Sequence, residues 1–132
     1  MSTGTTGTTG TTDTTGPTDA ASTPASVSTH ILDTSAGRPA RGVPVTLSVR
    51  AGGGGRWQAH GASRTDADGR CRDLPPLPES TTHARLEFDT AEYSPREAFF
   101  PEVVVAFAVA PGEHYHVPLL LNPFGYSVYR GS

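Results

Sequence analysis

Proline and glycine constrain the fold of this chain more than any other residues in its sequence. Of the 132 residues, 12 are proline and 15 are glycine, and the two types recur along most of the chain. Because proline breaks helix interiors and glycine lowers their stability, the intervals between these residues favour short strands over long helices. The sequence therefore predicts an all-β fold whose strands are joined by tight turns.

Alternating apolar residues predict where the strands lie. Valine or leucine occupies every second position from Val43 to Val49, which is the period of a half-buried strand. Residues 89–96 have room for a single helical turn before Pro95 ends it. Further strands are predicted over residues 28–33, 57–65, 70–74, 85–88, 99–109, 114–121 and 127–129. Seven or eight short strands with one short helix, and turns at intervals of about ten residues, predict a β-sandwich.

The first 26 residues differ in composition from the rest of the chain. They are rich in threonine and glycine and, after Met1, contain no large aliphatic or aromatic residue. Such a segment cannot bury enough surface to offset its ordering entropy, so residues 1–26 are predicted to be a disordered extension. They also lack the basic and apolar stretches of a secretory signal. Residues 27–132 are predicted to form a single domain.

Charge, hydropathy and cysteine content exclude several classes of function. The net charge of −3 disfavours nucleic acid and anionic membranes as partners, and no apolar run approaches the roughly 20 residues needed to span a bilayer. Cys71 is the only cysteine, so no intrachain disulfide can form, which favours a reducing, cytoplasmic compartment. All ten basic residues are arginine, and the absence of lysine excludes Schiff-base chemistry.

Two histidines, His114 and His116, lie two positions apart in a predicted strand and therefore on one face of it. Such a pair can chelate zinc, but a metal site needs a third ligand, and spacing recruits none of His30, His60 and His83. We therefore predict no metal. His114 is next to a turn and is expected to satisfy a hairpin end. His116 lies deeper in an apolar strand and is a candidate general base.

Arg70 and Cys71 follow a predicted tight turn over residues 66–69, whose Asp-Ala-Asp-Gly sequence lacks the later ligands of a calcium loop. The Arg70 guanidinium can point over the end of a sheet into a cavity, although taken alone it fits a solvated turn arginine. Cys71 is either a thiolate nucleophile or a small buried hydrophobe. His30, in a short strand, is on its own typical of a structural histidine. These residues alone indicate a β-sandwich with several histidines, and no specific activity.

The sequence resembles the transthyretin-related family, and within it the 5-hydroxyisourate hydrolases, along essentially all of residues 27–132. The terminal Tyr-Arg-Gly-Ser is the most specific element, because it separates these hydrolases from the hormone-carrying transthyretins of the same fold. The stretches that carry the resemblance are STHILDT at 28–34, GRPA at 37–40, GVPV at 42–45, TDADGR at 65–70, FFPEV at 99–103, HYHVPLLL at 114–121 and YRGS at 129–132.

This resemblance implies a transthyretin-like β-sandwich that dimerises edge to edge and assembles into a homotetramer, a dimer of dimers, with active sites in the channel between the dimers. The implied activity is the hydrolysis of 5-hydroxyisourate to 5-hydroxy-2-oxo-4-ureido-2,5-dihydro-1H-imidazole-5-carboxylate in urate degradation, without a cofactor. The implied catalytic residues are His30, Arg70 and His116. The residues implied to bind the substrate are His30, Arg70, Tyr129, Arg130, Gly131 and Ser132.

For the reaction itself, we hypothesise that His116 or His30 acts as the base that activates water. Arg70 would hold the carbonyl oxygen that gains negative charge. The main alternative is a transthyretin-like carrier that binds a small aromatic ligand without turnover, which would be expected to line its channel with apolar groups. A metal-dependent amidohydrolase is a third alternative.

The end of the chain carries a further expectation. Residues 114–121 are apolar on both faces of the predicted strand, so this strand is predicted to be buried on both sides. A turn at residues 122–125 is predicted to bring the terminal segment back alongside it. That return can bring Tyr129 near the level of His116, but the sequence does not fix the register.

Overall fold

Two β-sheets pack face to face to form the sandwich. The computed structural model describes residues 23–132, and the first 22 residues, which hold most of the predicted disordered extension, lie outside the described part. The elements in chain order are β1 Ser26–Asp33, β2 Arg38–Pro39, β3 Pro44–Arg50, β4 Gln58–Arg64, β5 Arg70–Cys71, β6 His83–Phe88, α1 Thr90–Tyr93, β7 Val103–Ala108, β8 His114–Asn122 and β9 Gly125–Val128.

The strand order determines which ends of the chain meet. The first sheet has the order β2-β1-β8-β9, with β5 also paired to β1, and the second sheet has the order β4-β3-β6-β7. β1 and β8 run parallel, and the other described strand pairs are antiparallel. Because β1 opens the domain and β8 lies near its end, their pairing brings both ends of the domain into one sheet.

Side-chain alternation places the apolar residues between the two sheets. Each strand turns every second side chain toward the facing sheet, where burial of a large aliphatic or aromatic side chain contributes about 1.5–3 kcal/mol. The core residues supplied by the first sheet are Val27, Thr29, Ile31, Tyr115, Val117, Leu119 and Leu121. Those supplied by the second sheet are Val45, Leu47, Val49, Ala84, Leu86, Phe88 and Val103.

The predicted fold class is confirmed. Among the described strands, seven have four or more residues and two have only two. The single helical turn is capped by Asp89, whose side chain accepts a hydrogen bond from the backbone N–H of Glu92 at 3.1 Å. β1 starts at Ser26, one residue before the predicted domain boundary. No helix within residues 23–132 is long and apolar enough to cross a bilayer.

Several strands differ from their predicted bounds. The strand predicted over 99–109 begins only at Val103, because the N–H of Phe99 donates to the carbonyl of Pro123 at 2.8 Å and Pro101 has no N–H for a ladder. The strand predicted over 70–74 is limited to β5, which ends at Cys71.

The prediction that β8 is buried on both sides is wrong for the single chain. Its core face is buried, but on the outer face His114 is exposed, and His116 and Leu120 are half-buried. Only Pro118 of the outer face is buried. The sandwich has two layers, so each sheet covers only one face of the other. This outer face of the first sheet carries the candidate site.

Candidate active site

The outer face of the first sheet brings together the three predicted catalytic residues. In the β1–β5 pair His30 lies opposite Arg70, and in the β1–β8 pair Ser28 lies opposite His116. Residues that are paired across neighbouring strands share a face, as do residues two apart on one strand. His30, Arg70 and His116 therefore project from the same side of the sheet, although 86 positions separate the first histidine from the last.

The turn before β5 positions Arg70. The carboxylate of Asp66 accepts hydrogen bonds from the backbone N–H groups of Asp68, at 2.9 Å, and Arg70, at 3.0 Å. Gly69 has a φ of 76°, and a Cβ atom there would lie 2.4 Å from the carbonyl oxygen of Ile31. Only glycine lets the turn come this close to β1, where the Ile31 N–H donates to the Gly69 carbonyl at 2.7 Å. This contact holds Arg70 opposite His30.

The Arg70 side chain is half-buried on this face. Among the residues that the structure describes, the ion pairs join other arginines, Arg64, Arg85 and Arg130, to glutamates. A guanidinium offers five N–H donors in a planar fork, which suits carbonyl and carboxylate oxygens of a flat ligand. Arg70 thus supplies a positive charge and donors beside the two histidines.

The imidazole of His116 is held along two of its edges. Its Nδ1 lies 2.9 Å from the hydroxyl oxygen of Ser28. On the opposite edge, Gly131 approaches so closely that a Cβ atom there would lie 2.8 Å from the Cδ2 atom of His116. The Gly131 N–H also donates to the His116 carbonyl at 2.7 Å. With both edges occupied, Nε2 is the ring nitrogen left for a ligand.

The surroundings of His116 favour the neutral form of its imidazole. Partial burial lowers its pKa below the usual 6.5, and the charge of Arg70, followed by those of His30 and His114, lowers the pKa further. A neutral imidazole can accept a proton, so this residue has the protonation state that a general base requires.

The structure gives the register in which the terminal segment meets β8. The β8–β9 pairs, from Asn122 with Gly125 to Leu119 with Val128, continue to a bridge between His116 and Gly131. Gly131 therefore lies opposite His116, in a register that the sequence left open. The two-residue hairpin loop sets this register. Tyr129 lies two positions nearer the hairpin and is 54% exposed.

The structure separates Arg130 from the other predicted substrate-binding residues. Its guanidinium pairs with the carboxylate of Glu113 at 3.1 Å and lies 4.5 Å above the ring of Tyr115, a core residue. Arg130 thus points away from the face that carries His116. Ser132 follows Gly131 and is exposed.

The remaining candidates from the sequence lie outside this cluster. Cys71 is buried, and burial raises the pKa of its thiol, so of its two interpretations the buried hydrophobe is correct. His60 and His83 belong to the second sheet, where His60 Nε2 lies 2.6 Å from the carbonyl of Pro76. Within residues 23–132, no three His, Cys, Asp or Glu side chains come close enough to hold a metal ion.

Sequence reasoning missed Ser28, which contacts both His114 and His116. The available signal was its position two residues before His30, which predicts a shared face. Serine is common on exposed strand faces, so this spacing by itself marks no function. The parallel pairing of β1 with β8 gives Ser28 its partners.

The chain is similar to known proteins along most of its length. The model of the HIUase/Transthyretin family matches residues 27–131. The chain is 42% identical over 111 residues to the 5-hydroxyisourate hydrolase of Salmonella dublin, which covers 80% of each chain. It is 47% identical over 120 residues to the uric acid degradation bifunctional protein TTL of Arabidopsis thaliana. That match covers 80% of this chain but only 37% of the plant protein.

The fold is also similar to that of a solved structure. The 5-hydroxyisourate hydrolase of Klebsiella pneumoniae superposes with a TM-score of 0.66 at 36% identity, over 80% of this chain and 98% of that protein.

Proposed function

The chain belongs to the HIUase/Transthyretin family, and we propose on that premise that it hydrolyses 5-hydroxyisourate to 5-hydroxy-2-oxo-4-ureido-2,5-dihydro-1H-imidazole-5-carboxylate. The observation that carries this proposal is the meeting of His30, Arg70 and His116 on one half-exposed sheet face. The relatives named as 5-hydroxyisourate hydrolases support the same substrate. The activity is a step of urate degradation.

His116 is proposed as the general base. Its Nε2 takes a proton from a water molecule, and the resulting hydroxide adds to the cyclic amide carbonyl of the substrate. The tetrahedral intermediate then expels the ring nitrogen, which receives the proton back from the imidazolium, and the C–N bond breaks. A positioned base typically contributes about 10² to 10⁴ in rate. The lowered pKa of His116 and the contact of its Nδ1 with Ser28, which leaves Nε2 for the substrate, support this role. His30 is the alternative base.

Arg70 is proposed to stabilise the charge that forms on the carbonyl oxygen. Removing one preorganised hydrogen-bond donor to a developing oxyanion typically costs about 2.7–4 kcal/mol of transition-state binding. His30 lies directly opposite Arg70, so it is placed to donate to a second polar atom of the same ring. Gly131 and Ser132 close the site at the C-terminal end, and Tyr129 lines its approach. Arg130 enters this proposal only through its contact with Glu113.

The carrier alternative is disfavoured by the polarity of the same face. A carrier for an apolar aromatic ligand gains most from an apolar channel, because buried polar groups that lack partners cost binding energy. Here the face carries Arg70, His30, His116 and Ser28, and Arg70 has no acidic partner among the described residues. The family includes both hydrolases and transthyretins, so its fold does not separate them; these residues do.

The proposed assembly is a homotetramer, a dimer of dimers with the sites in the channel between dimers. In the single chain the outer face is uncovered, and Tyr129 and Leu120 remain accessible. A second copy over this face would exclude water from the site and strengthen its electrostatics. Light scattering coupled to size-exclusion chromatography should give four times the 13.8 kDa chain mass. A monomer at micromolar concentration would contradict this assembly.

Two further proposals concern location and domain boundaries. We propose a cytoplasmic location, which the single free, buried thiol of Cys71 supports. We also propose that the threonine- and glycine-rich segment before the domain is an extension outside the catalytic part, which the family match over 27–131 supports. Ala25 and Ser26, which the sequence assigned to that extension of residues 1–26, pack with the domain of residues 27–132.

The decisive experiment couples urate oxidase to this protein and follows the decay of the 5-hydroxyisourate absorbance. We expect wild-type protein to accelerate the decay, with or without prior dialysis against a chelator. Arg70→Gln and His116→Asn should each lower kcat/KM at least about 100-fold. Arg56→Gln, in the loop after β3, is the matched arginine control. A wild-type protein that leaves the decay unchanged would reject the proposed function.

A further inference from the structure

Four polar side chains form a continuous hydrogen-bonded row on the outer face of the first sheet. The hydroxyl oxygen of Ser26 lies 2.7 Å from Nδ1 of His114, and Nε2 of His114 lies 2.8 Å from the hydroxyl oxygen of Ser28. That same oxygen lies 2.9 Å from Nδ1 of His116. The row therefore connects His116 to a second histidine through a single serine.

The sheet itself produces this row. In the parallel β1–β8 pair, Ser26 lies opposite His114 and Ser28 lies opposite His116. All four residues fall on the same face, and serine is small enough to leave room for two imidazole rings beside it. His114 is exposed whereas His116 is half-buried, so the row runs from solvent toward the site.

The hydroxyl of Ser28 links the protonation of His114 to that of His116. The hydroxyl of Ser28 has one proton and two lone pairs. When that proton stays within the row, Ser28 donates to one imidazole and accepts an N–H from the other. Two neutral arrangements then satisfy all three contacts. In the first, Nδ1–H of His116 donates to Ser28, Ser28 donates to Nε2 of His114, and Nδ1–H of His114 donates to Ser26. In the second, every donor and acceptor is reversed.

The two arrangements differ at the nitrogen that faces the ligand. In the first, Nε2 of His116 has a free lone pair and can accept a proton from water. In the second, Nε2 carries the proton and cannot act as a base. The tautomer of a histidine is set by the hydrogen bond that its other nitrogen makes. That bond is to Ser28 here, and the orientation of Ser28 depends on His114.

We propose that Ser28 is a positioning residue for hydrolysis, holding His116 as the Nδ1–H tautomer, and that His114 acts through Ser28 by accepting its hydroxyl proton. The inference rests on the proposed function of His116 as base. It assigns to His114 a role in the site beyond satisfying the end of a hairpin.

The test combines steady-state kinetics with ¹⁵N NMR of the imidazole nitrogens, whose chemical shifts report the tautomer without substrate. Ser28→Ala should lower kcat about tenfold with little change in KM, and should shift His116 toward a mixture of tautomers. Ser28→Thr, which keeps the hydroxyl, should restore most of kcat and the wild-type spectrum. Ser127→Ala is the matched control, because Ser127 pairs with Leu120 on the same sheet.

A double-mutant cycle tests whether the effect of His114 on kcat passes through Ser28. His114→Ala, at an exposed position, should lower kcat several-fold in the wild-type background and have no further effect in Ser28→Ala, because its influence passes through that hydroxyl. Independent, additive losses would reject the coupling.

The activity of the wild-type protein distinguishes a failure of this inference from a failure of the proposed function. If wild-type protein is active and Ser28→Ala retains full kcat with an unchanged His116 spectrum, the positioning role is wrong although the function stands. If wild-type protein is inactive on 5-hydroxyisourate, the function is wrong, and the NMR comparison of wild type with Ser28→Ala still decides whether Ser28 sets the tautomer.

Discussion

At the residue scale, the ionisation of His116 provides the most direct check on the site. Since partial burial and then Arg70, His30 and His114 lower its pKa, protonation should occur below pH 6.5. Activity that needs the neutral ring should therefore persist as pH falls to 6.5 and decline only at a lower pH. We expect an NMR titration of the His116 ring and the acid limb of kcat/KM to give the same lowered pKa.

Removing the Arg70 charge should raise the pKa of His116, both in the NMR titration and in the acid limb of kcat/KM. The imidazolium then loses a repelling neighbour. The Arg70→Gln variant can be titrated by NMR although its kcat/KM is low, since the titration does not need turnover. Arg56→Gln, distant from the site, should leave the titration unchanged. A wild-type pKa at or above 6.5 would contradict the proposed electrostatics.

Gly131 is a second residue whose identity the structure explains. A Cβ atom there would lie 2.8 Å from Cδ2 of His116 and 3.1 Å from Cγ of Pro118, so Gly131→Ala must displace the imidazole or the terminal segment. We expect kcat/KM to fall at least about tenfold, or roughly 1.4 kcal/mol of transition-state binding. Gly125→Ala is the control, because its Cβ would meet only Asn122 at 3.7 Å. Equal activity of the two variants would show that the contact has no role in the site.

At the scale of an element, the turn that leads into β5 couples stability to activity. Gly69→Ala would place a methyl group 2.4 Å from the Ile31 carbonyl at a positive φ, so the turn must move and carry Arg70 with it. We expect a loss of about 1–3 kcal/mol in the free energy of unfolding and a large fall in kcat/KM. Urea denaturation and the coupled assay measure the two effects.

Gly112→Ala measures the cost of backbone strain without the clash that a Cβ atom at position 69 makes with the Ile31 carbonyl. Gly112 has a φ of 82°, close to that of Gly69, but a Cβ atom there would meet nothing within 4 Å. This variant should lose only about 1 kcal/mol of stability from left-handed backbone strain and keep its kcat/KM. If both variants kept full activity, the turn would not be what positions Arg70.

The terminal segment after β9 is the other element on which the site depends. Deleting residues 129–132 removes Gly131 and its hydrogen bond to the His116 carbonyl but leaves the core face of β8 intact. We expect kcat/KM to fall at least about tenfold while the far-UV circular dichroism stays sandwich-like. A C-terminal affinity tag should impair activity more than an N-terminal tag. Unfolding of the truncated protein would instead assign these residues to the stability of the sheet.

At the scale of the whole molecule, the start of the folded domain can be located by truncation. Ala25 is buried, its carbonyl accepts the N–H of Leu77 at 2.9 Å, and the Ser26 N–H donates to the carbonyl of Glu113 at 3.1 Å. Deleting residues 2–22 should therefore leave kcat/KM and stability within error. Deleting residues 2–26 should lower the free energy of unfolding by about 1–3 kcal/mol, since buried backbone groups lose their partners. A loss of activity in the shorter deletion would give the N-terminal segment a function.

The sequence by itself determined where most of the strands lie and which face each side chain takes, because a period of two is a local property of an extended backbone. It predicted the β-sandwich and the turn before Arg70, and its resemblance to a known family implied the three residues of the cluster. Which strands lie side by side was decided only by tertiary structure, since alternation states which side a residue faces and not which strand is its neighbour. The parallel pairing of β1 with β8 joins Ser28 to His116 across 88 positions, and a two-residue hairpin loop puts Gly131 beside that histidine. These long-range contacts depend on how the two sheets close over a shared core.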